Sequence, residues 1–162
     1  MKLISGGQTG VDRAVLDVAM DCGFAYGGWC PQGGWAEDFP HPPGLLAPYP
    51  DLKETPLADP AQRTEWNVRD SHACLIIVGS GGLDASPGTA LAQQLAHRYR
   101  KPLLVADLDA GDARQRTGLW LRFQEKRRGS ALELAVGGPR ESETPGIYAR
   151  AKQFLEALLQ QI

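Results

Sequence analysis

Ile4-Ser5-Gly6-Gly7-Gln8-Thr9-Gly10-Val11-Asp12-Arg13 marks a change of hydrophobic period near the start of the chain. Before it, Met1-Lys2-Leu3 leaves room only for a short strand. After it, Val11, Ala14, Val15, Val18, Ala19 and Cys22 recur at i, i+3, i+4, i+7, i+8 and i+11, one apolar face of a helix. A strand that turns through paired glycines into a helix brings unpaired N–H groups to a point, where a phosphate or carboxylate can bind. The spacing G-G-x-x-G is neither the dinucleotide pattern G-x-G-x-x-G nor a P-loop, since no Gly-Lys-Ser/Thr follows. Thr9 and Asp12 also read as an N-cap and its N3 partner, which would make this simply a well-capped helix.

Working outward, Phe24 to Trp29 supplies a second strand, and Cys30-Pro31 opens a stretch of different character. Eight of the twelve prolines lie between Pro31 and Pro60, with no helix or strand period, so 31–58 reads as a stiff, shaped loop. Asp59-Pro60 then restarts regular structure as N-cap and N1, with Gln62 at N3. The helix Pro60 to Ser71 is mostly polar with no clean apolar stripe, and Glu65 and Arg69 are spaced for an i, i+4 pair. Either it is a solvated face supported by such pairs, or part of it, around Trp66, faces a polar cavity or a subunit partner.

Ala73 to Val78 is a continuous apolar run, as in a strand buried on both faces. A second glycine-rich junction follows, ending in Ser86-Pro87-Gly88-Thr89, with Ser86 as N-cap and Pro87 at N1 of a helix that runs to about Tyr99. Leu103 to Ala106 is a fourth strand and Ala113 to Lys126 a helix. Ala131 to Val136 is a fifth strand, and a last helix begins at Thr144-Pro145. Alternating strands and helices predict a three-layer α/β/α sandwich around a mostly parallel five-stranded sheet. Right-handed crossovers gather the strand-to-helix loops at one edge. The order 2-1-3-4-5 would set the first and third strands side by side, so that both glycine-rich junctions flank one crevice.

The 162 residues form, on this reading, one domain with its proline-rich loop at 31–58. A hydrophobic fraction of 43% with 22% charged residues is that of a globular chain able to bury a core without metals or disulfides. A net charge of −2 gives no reason to expect nucleic acid or a membrane surface as partner. Cys22, Cys30 and Cys74 form no C-x-x-C, and His41, His72 and His97 are scattered, so no structural metal is expected. A cytoplasmic location with free thiols is the default.

Four blocks of the chain carry a resemblance: Ser5 to Ala14, Gly28-Trp29-Cys30-Pro31 with Ala36-Glu37-Asp38, Arg63 to Ser71, and Gly138 to Ser142 with Pro145-Gly146-Ile147-Tyr148. In order and over nearly the whole length, they resemble the molybdenum carrier family, molybdenum cofactor carrier-like proteins. That family sits within a Rossmann-like group that includes the lonely-guy-type phosphoribohydrolases, also labelled lysine-decarboxylase-like. The resemblance implies a phosphate-bearing ligand over the sheet edge, either molybdenum cofactor (molybdopterin) or a nucleotide, and a homo-oligomer, dimer or tetramer. The wider group's G-G-x-G-T-x-x-E carries a glutamate for nucleotide hydrolysis. Here Ser86-Pro87-Gly88-Thr89 keeps Gly-Thr, but Ala92 stands where that glutamate would fall.

The leading expectation is therefore a binding or carrier protein. Gly6, Gly7, Gln8, Thr9, Ser86, Gly88 and Thr89 are the candidate phosphate contacts, with Arg13, Arg63 and Arg140 as cationic donors. Trp29, with Trp35, offers a wall for a ring system, and Cys30 a soft contact for a metal or dithiolene. Arg140 has a structural alternative in a salt bridge to Glu141 or Glu143. A nucleotide-processing enzyme is the second reading, with Glu37, Asp38 and Glu65 as candidate acid or base. A module that assembles through the Arg63–Ser71 helix is the third.

Overall fold

The computed structural model describes residues 1–161. Six parallel strands form one sheet: β1 (Lys2–Ile4), β2 (Ala25–Cys30), β3 (Leu52–Glu54), β4 (Ala73–Val78), β5 (Leu103–Asp107) and β6 (Glu133–Gly137). Five helices connect or follow them: α1 (Val11–Asp21), α2 (Pro60–Asp70), α3 (Pro87–Arg98), α4 (Ala113–Arg128) and α5 (Ile147–Leu159).

The α/β/α class predicted from the alternation holds, but strand number and order do not. The sheet runs β3-β2-β1-β6-β4-β5. The last strand thus lies between the two that the sequence reading set side by side. Lys2 to Ile4 register with Glu133 to Ala135 on one side of β6, and Ala73 to Ile76 with Leu134 to Gly137 on the other. Strand direction and burial are written in local pattern. The choice of neighbour is made by complementary side chains far apart in sequence, which no local period reports.

The extra strand lies inside the proline-rich segment. Leu52, Lys53 and Glu54 pair with Gly28, Trp29 and Cys30, placing β3 at the edge next to β2. Three residues are too few to show a period of two, so this segment read as a loop. Leu45, Tyr49 and Leu52 bury against Leu16 and Cys30 in a core of their own, which holds the segment down on α1 and β2.

The main core lies on the face covered by α1, α4 and α5, where Val11, Val15, Leu121, Ile147 and Leu155 pack on Leu75, Ile77, Leu134 and Val136. On the other face, Val68 of α2 and Leu95 and Ala96 of α3 pack on Cys74 and Ala135. Each fully buried Leu or Ile contributes about 1.5–3 kcal/mol. All six residues of β4 are buried, as expected for a strand covered on both faces.

The helix starts divide into two kinds. Asp59 accepts a hydrogen bond from the Ala61 N–H, and Ser86 from the Thr89 N–H, the caps expected for α2 and α3. The expected cap of α1 is absent: its N-cap is Gly10, with no side-chain bond, and the Val11 N–H donates to the Pro139 carbonyl. Gly10 sits at φ +76°, and a Cβ there would press on the Pro139 carbonyl, so only glycine admits this approach. Thr9 and Asp12, freed from capping, bond to Glu37 and Arg63. The expected Glu65–Arg69 pair is also replaced. Glu65 accepts from the Tyr99 hydroxyl at 2.6 Å, and Arg69 donates twice to Asp70.

Candidate functional site

A cavity of about 220 Å³ opens where the carboxyl ends of β1, β6 and β4 meet α2 and α3. Its walls come from five separate stretches: Gln8 and Asp12, Arg63 and Thr64, Ser86 to Thr89, Gly137 and Gly138, and Arg140. A narrower apolar cleft continues from it between the sheet and the two helices, reaching Gly6, Asn67 and Cys74.

The first turn of α3 is one wall. Pro87 has no N–H, and the Thr89 N–H is taken by Ser86, which leaves the Gly88 N–H exposed at the positive end of the helix. Beside it the Thr89 hydroxyl is buried and bonds to nothing. Arg63 comes from α2 across the cavity. Its side chain lies over Gly6, where even a methyl group would overlap the guanidinium, so the glycine here makes room for an arginine. One guanidinium nitrogen donates to Asp12 at 2.8 Å, while Nε is buried with no partner. Three buried side-chain polar atoms lack partners among the described residues, and two of them, on Thr89 and Arg63, belong to this cavity. A buried polar atom without a protein partner costs about 1–3 kcal/mol.

Gln8 is oriented by its neighbours. Its Oε1 accepts from the Thr9 N–H at 3.0 Å and the Glu37 N–H at 2.9 Å, which turns the amide's NH₂ donor away from them. Arg140 also lines the cavity. Neither expected carboxylate holds its guanidinium. Glu143 bonds the Arg140 backbone N–H instead, and the side chain makes no ion pair among the described residues. The cavity thus has two guanidinium groups, a hydroxyl, an oriented amide and a helix N-terminus against a single carboxylate, Asp12. Burial drives the Asp12 carboxyl above its ordinary range, while Arg63 and the backbone N–H groups of Gly138 and Gln8 work in the opposite direction.

Gly6, Gln8, Arg63, Ser86, Gly88, Thr89 and Arg140 are thereby brought together around the cavity and the cleft behind it. The other sequence candidates lie elsewhere. Gly7 packs beside Leu16, Leu45 and Leu52. Thr9 bonds to Glu37 and accepts from the Glu141 N–H. Arg13 makes a bidentate pair with Asp38 over the Phe39 ring and, with Thr9, lines a separate cavity of about 430 Å³. Trp29 meets Trp66 edge to face at 4.7 Å and donates its indole N–H to Asp70. Cys30 is enclosed in the core under the proline-rich segment, where burial pushes its thiol up to about 11. Sequence reasoning passed over Asp12 as a cavity residue, together with Thr64 and Gly137. The signal available was the Gly137-Gly138-Pro139-Arg140 run, but its placement depends on β6 lying between β1 and β4.

None of the three carboxylates considered for acid–base work lines the cavity. Glu37 joins Thr9 to Ser142, Asp38 holds Arg13, and Glu65 holds Tyr99. Ala92 does line it, on the helix that follows Thr89.

The family model described as the circularly permutated YpsA SLOG family matches residues 3–159. Among solved structures, the chain is similar to a crystal structure of a putative molybdenum carrier protein from Syntrophus aciditrophicus SB. The two share 38% identity at a TM-score of 0.82, over 98% of this chain and 94% of that one. No curated protein sequence matches significantly.

Proposed function

The chain belongs to the circularly permutated YpsA SLOG family, and on that premise we propose that it binds and carries a small phosphate-bearing ligand in the cavity at the α3 N-terminus. Because the Syntrophus protein is named as a molybdenum carrier, the ligand of this reading is molybdenum cofactor, held by its phosphate. The observation that supports the reading is the uncapped Gly88 N–H at the positive end of α3 in one cavity with the Arg63 and Arg140 side chains and a single carboxylate, Asp12.

The donor set suits that end of the ligand. A phosphate would accept from the Gly88 N–H, the Thr89 hydroxyl, Gln8 and the two guanidinium groups. About 220 Å³ is small against cavities that enclose drug-sized ligands, so the ring system would rest at the mouth. Cys30 is enclosed and Cys74 reaches only the cleft behind, so no thiolate stands ready at the mouth to take the metal end. Asp12 serves as the internal counter-charge that keeps Arg63 in place before the ligand arrives.

Titration calorimetry with inorganic phosphate, adenosine monophosphate and molybdenum cofactor released anaerobically from a donor enzyme tests this. The cofactor should bind most tightly. Arg140→Ala should weaken it by about tenfold to a hundredfold, the range for losing a charge-assisted bond. No binding by any of the three, or an Arg140→Ala protein that binds like the wild type, would sink the proposal.

A further inference from the structure

Helix α4 lies on the face of the sheet opposite α2 and α3, and nothing in the cavity depends on it. It carries Arg114, Arg116, Arg122, Lys126, Arg127 and Arg128 against a single Glu125. That is a net charge of +5 on one helix of a chain whose total is −2, so the other residues together carry −7. Arg116 lies 3.9 Å from Asp112, and the other five cations make no ion pair among the described residues. Along the same outward face, Leu119 and Phe123 are 57% and 59% exposed, two of the four most exposed large apolar side chains. They stand four apart, one turn above the other, with Arg116 and Arg122 beside them. At the end of the helix, Arg127 and Arg128 line an open cavity of about 350 Å³ together with His72 and Lys101.

The helix's own packing does not explain this face. Leu121 and Thr117 hold α4 against the core, and Gly129, in the left-handed region, ends it. Cations in the last turn answer the negative end of the helix dipole, which accounts for Lys126, Arg127 and Arg128. It does not account for Arg114, Arg116 and Arg122 or for the two apolar side chains between them.

We propose that the outward face of α4 is a docking surface for an acidic protein partner, which packs apolar groups on Leu119 and Phe123 and pairs carboxylates with the surrounding guanidinium groups. Two observations choose this occupant. Five of the six cations are arginine, whose planar fork matches a carboxylate and is enriched with aromatic residues at protein interfaces. The exposed apolar area is only two side chains, while the helix's remaining apolar residues are committed to the core. A membrane-surface helix buries a continuous apolar face, which α4 does not have to give.

The test uses the intact chain and four probes: poly(Glu,Tyr) copolymer, poly-glutamate, mixed phosphatidylcholine–phosphatidylserine vesicles, and double-stranded DNA. Binding is read by calorimetry. The copolymer should bind at least about tenfold more tightly than poly-glutamate, because only it can fill the apolar contacts. The Leu119→Ser, Phe123→Ser double variant should lose that preference while keeping the poly-glutamate affinity. Arg122→Glu, Arg127→Glu should weaken both polymers by about tenfold or more. Both variants sit on solvent-exposed positions, and a retained cooperative thermal melt verifies that they fold. Preference for vesicles or DNA over the copolymer, or a copolymer affinity indifferent to Leu119 and Phe123, would overturn the proposal. Phosphate binding at the cavity should be unaltered in both variants, so this proposal and the carrier reading fail separately.

Discussion

At the scale of single residues, Arg63 and Thr89 set the chemistry of the cavity. Each has bonding capacity that the folded chain leaves unused, and in a buried place that is a cost. Removing one of them should therefore have opposite effects on stability and binding. Thr89→Val keeps the shape and deletes the orphan hydroxyl. The ligand-free protein should be as stable as the wild type or more stable by about 1 kcal/mol, measured by denaturant unfolding. Phosphate affinity should fall. A clearly less stable variant would mean that the hydroxyl already has a partner. Asp12 shows the complementary device: its carboxylate meets Arg63 at 2.8 Å, so the cavity's arginine is positioned without being fully satisfied.

At the scale of elements, two glycine-rich junctions with similar sequence come to different ends. The first N–H of α1 is consumed by the Pro139 carbonyl, and Thr9 leaves the helix to meet Glu37. The α3 start keeps its Ser86 cap and presents Gly88 and Thr89 to the cavity. Between the junctions, Glu37 ties the proline-rich segment to both the Gly6–Gly10 loop, through Thr9 and Gln8, and the Pro139–Ser142 loop, through Ser142. Burial works to raise the Glu37 carboxyl, but hydrogen bonds from Thr9 and Ser142 outweigh it, helped by Arg140, and hold it below the ordinary carboxylate range. A depressed folded-state pKa stabilises the fold above the unfolded value, about 4.3 for glutamate, and that contribution is lost as pH falls through the folded value. Glu37→Gln should accordingly be less stable than the wild type near about pH 7, with the gap closing as pH drops toward about 3. A gap that stays constant with pH would show that the carboxylate's charge plays no part in the latch.

At the scale of the whole molecule, the strand order has a simple description. If the chain is counted from β6, then through β1 to β5, the order β3-β2-β1-β6-β4-β5 becomes 4-3-2-1-5-6, a doubly wound sheet that reverses between β6 and β4. Ligands in such sheets bind at the reversal, and the cavity lies there, lined by Gly137 of β6 and the first turn of α3 after β4. The family description, circularly permutated, agrees with such a renumbering. The permutation should be reversible. Met1 packs against the same core as Leu158 and Leu159, at the sheet edge where β1 begins and α5 ends. A variant with a flexible linker joining the two chain ends, opened between the exposed residues Gly129 and Ser130, should fold and melt cooperatively, by circular dichroism and calorimetry. Loss of a cooperative transition would mean that the β1-first order is needed for folding.

The sequence alone determined the elements whose signals are local: the buried run of β4, the apolar stripe of α1, the Asp59 and Ser86 caps, and the α/β alternation that places loops at one edge. It also marked Arg63, Ser86, Gly88, Thr89 and Arg140, which the fold brings around one cavity. The tertiary structure alone decided which strands are neighbours, that Leu52–Glu54 forms an edge strand, and that Arg13, Trp29 and Cys30 turn away from the cavity where Asp12 faces it. The physical reason lies in range. Periodicity and capping act within a few residues, whereas the pairing of β6 with both β1 and β4 is set by side-chain fit across more than fifty residues of chain. The glycine-rich stretch from Ser5 to Gly10 belongs to both regimes: its sequence fixed a turn into a helix, and only the packing of Pro139 against Gly10 decided that its N–H groups would serve the fold.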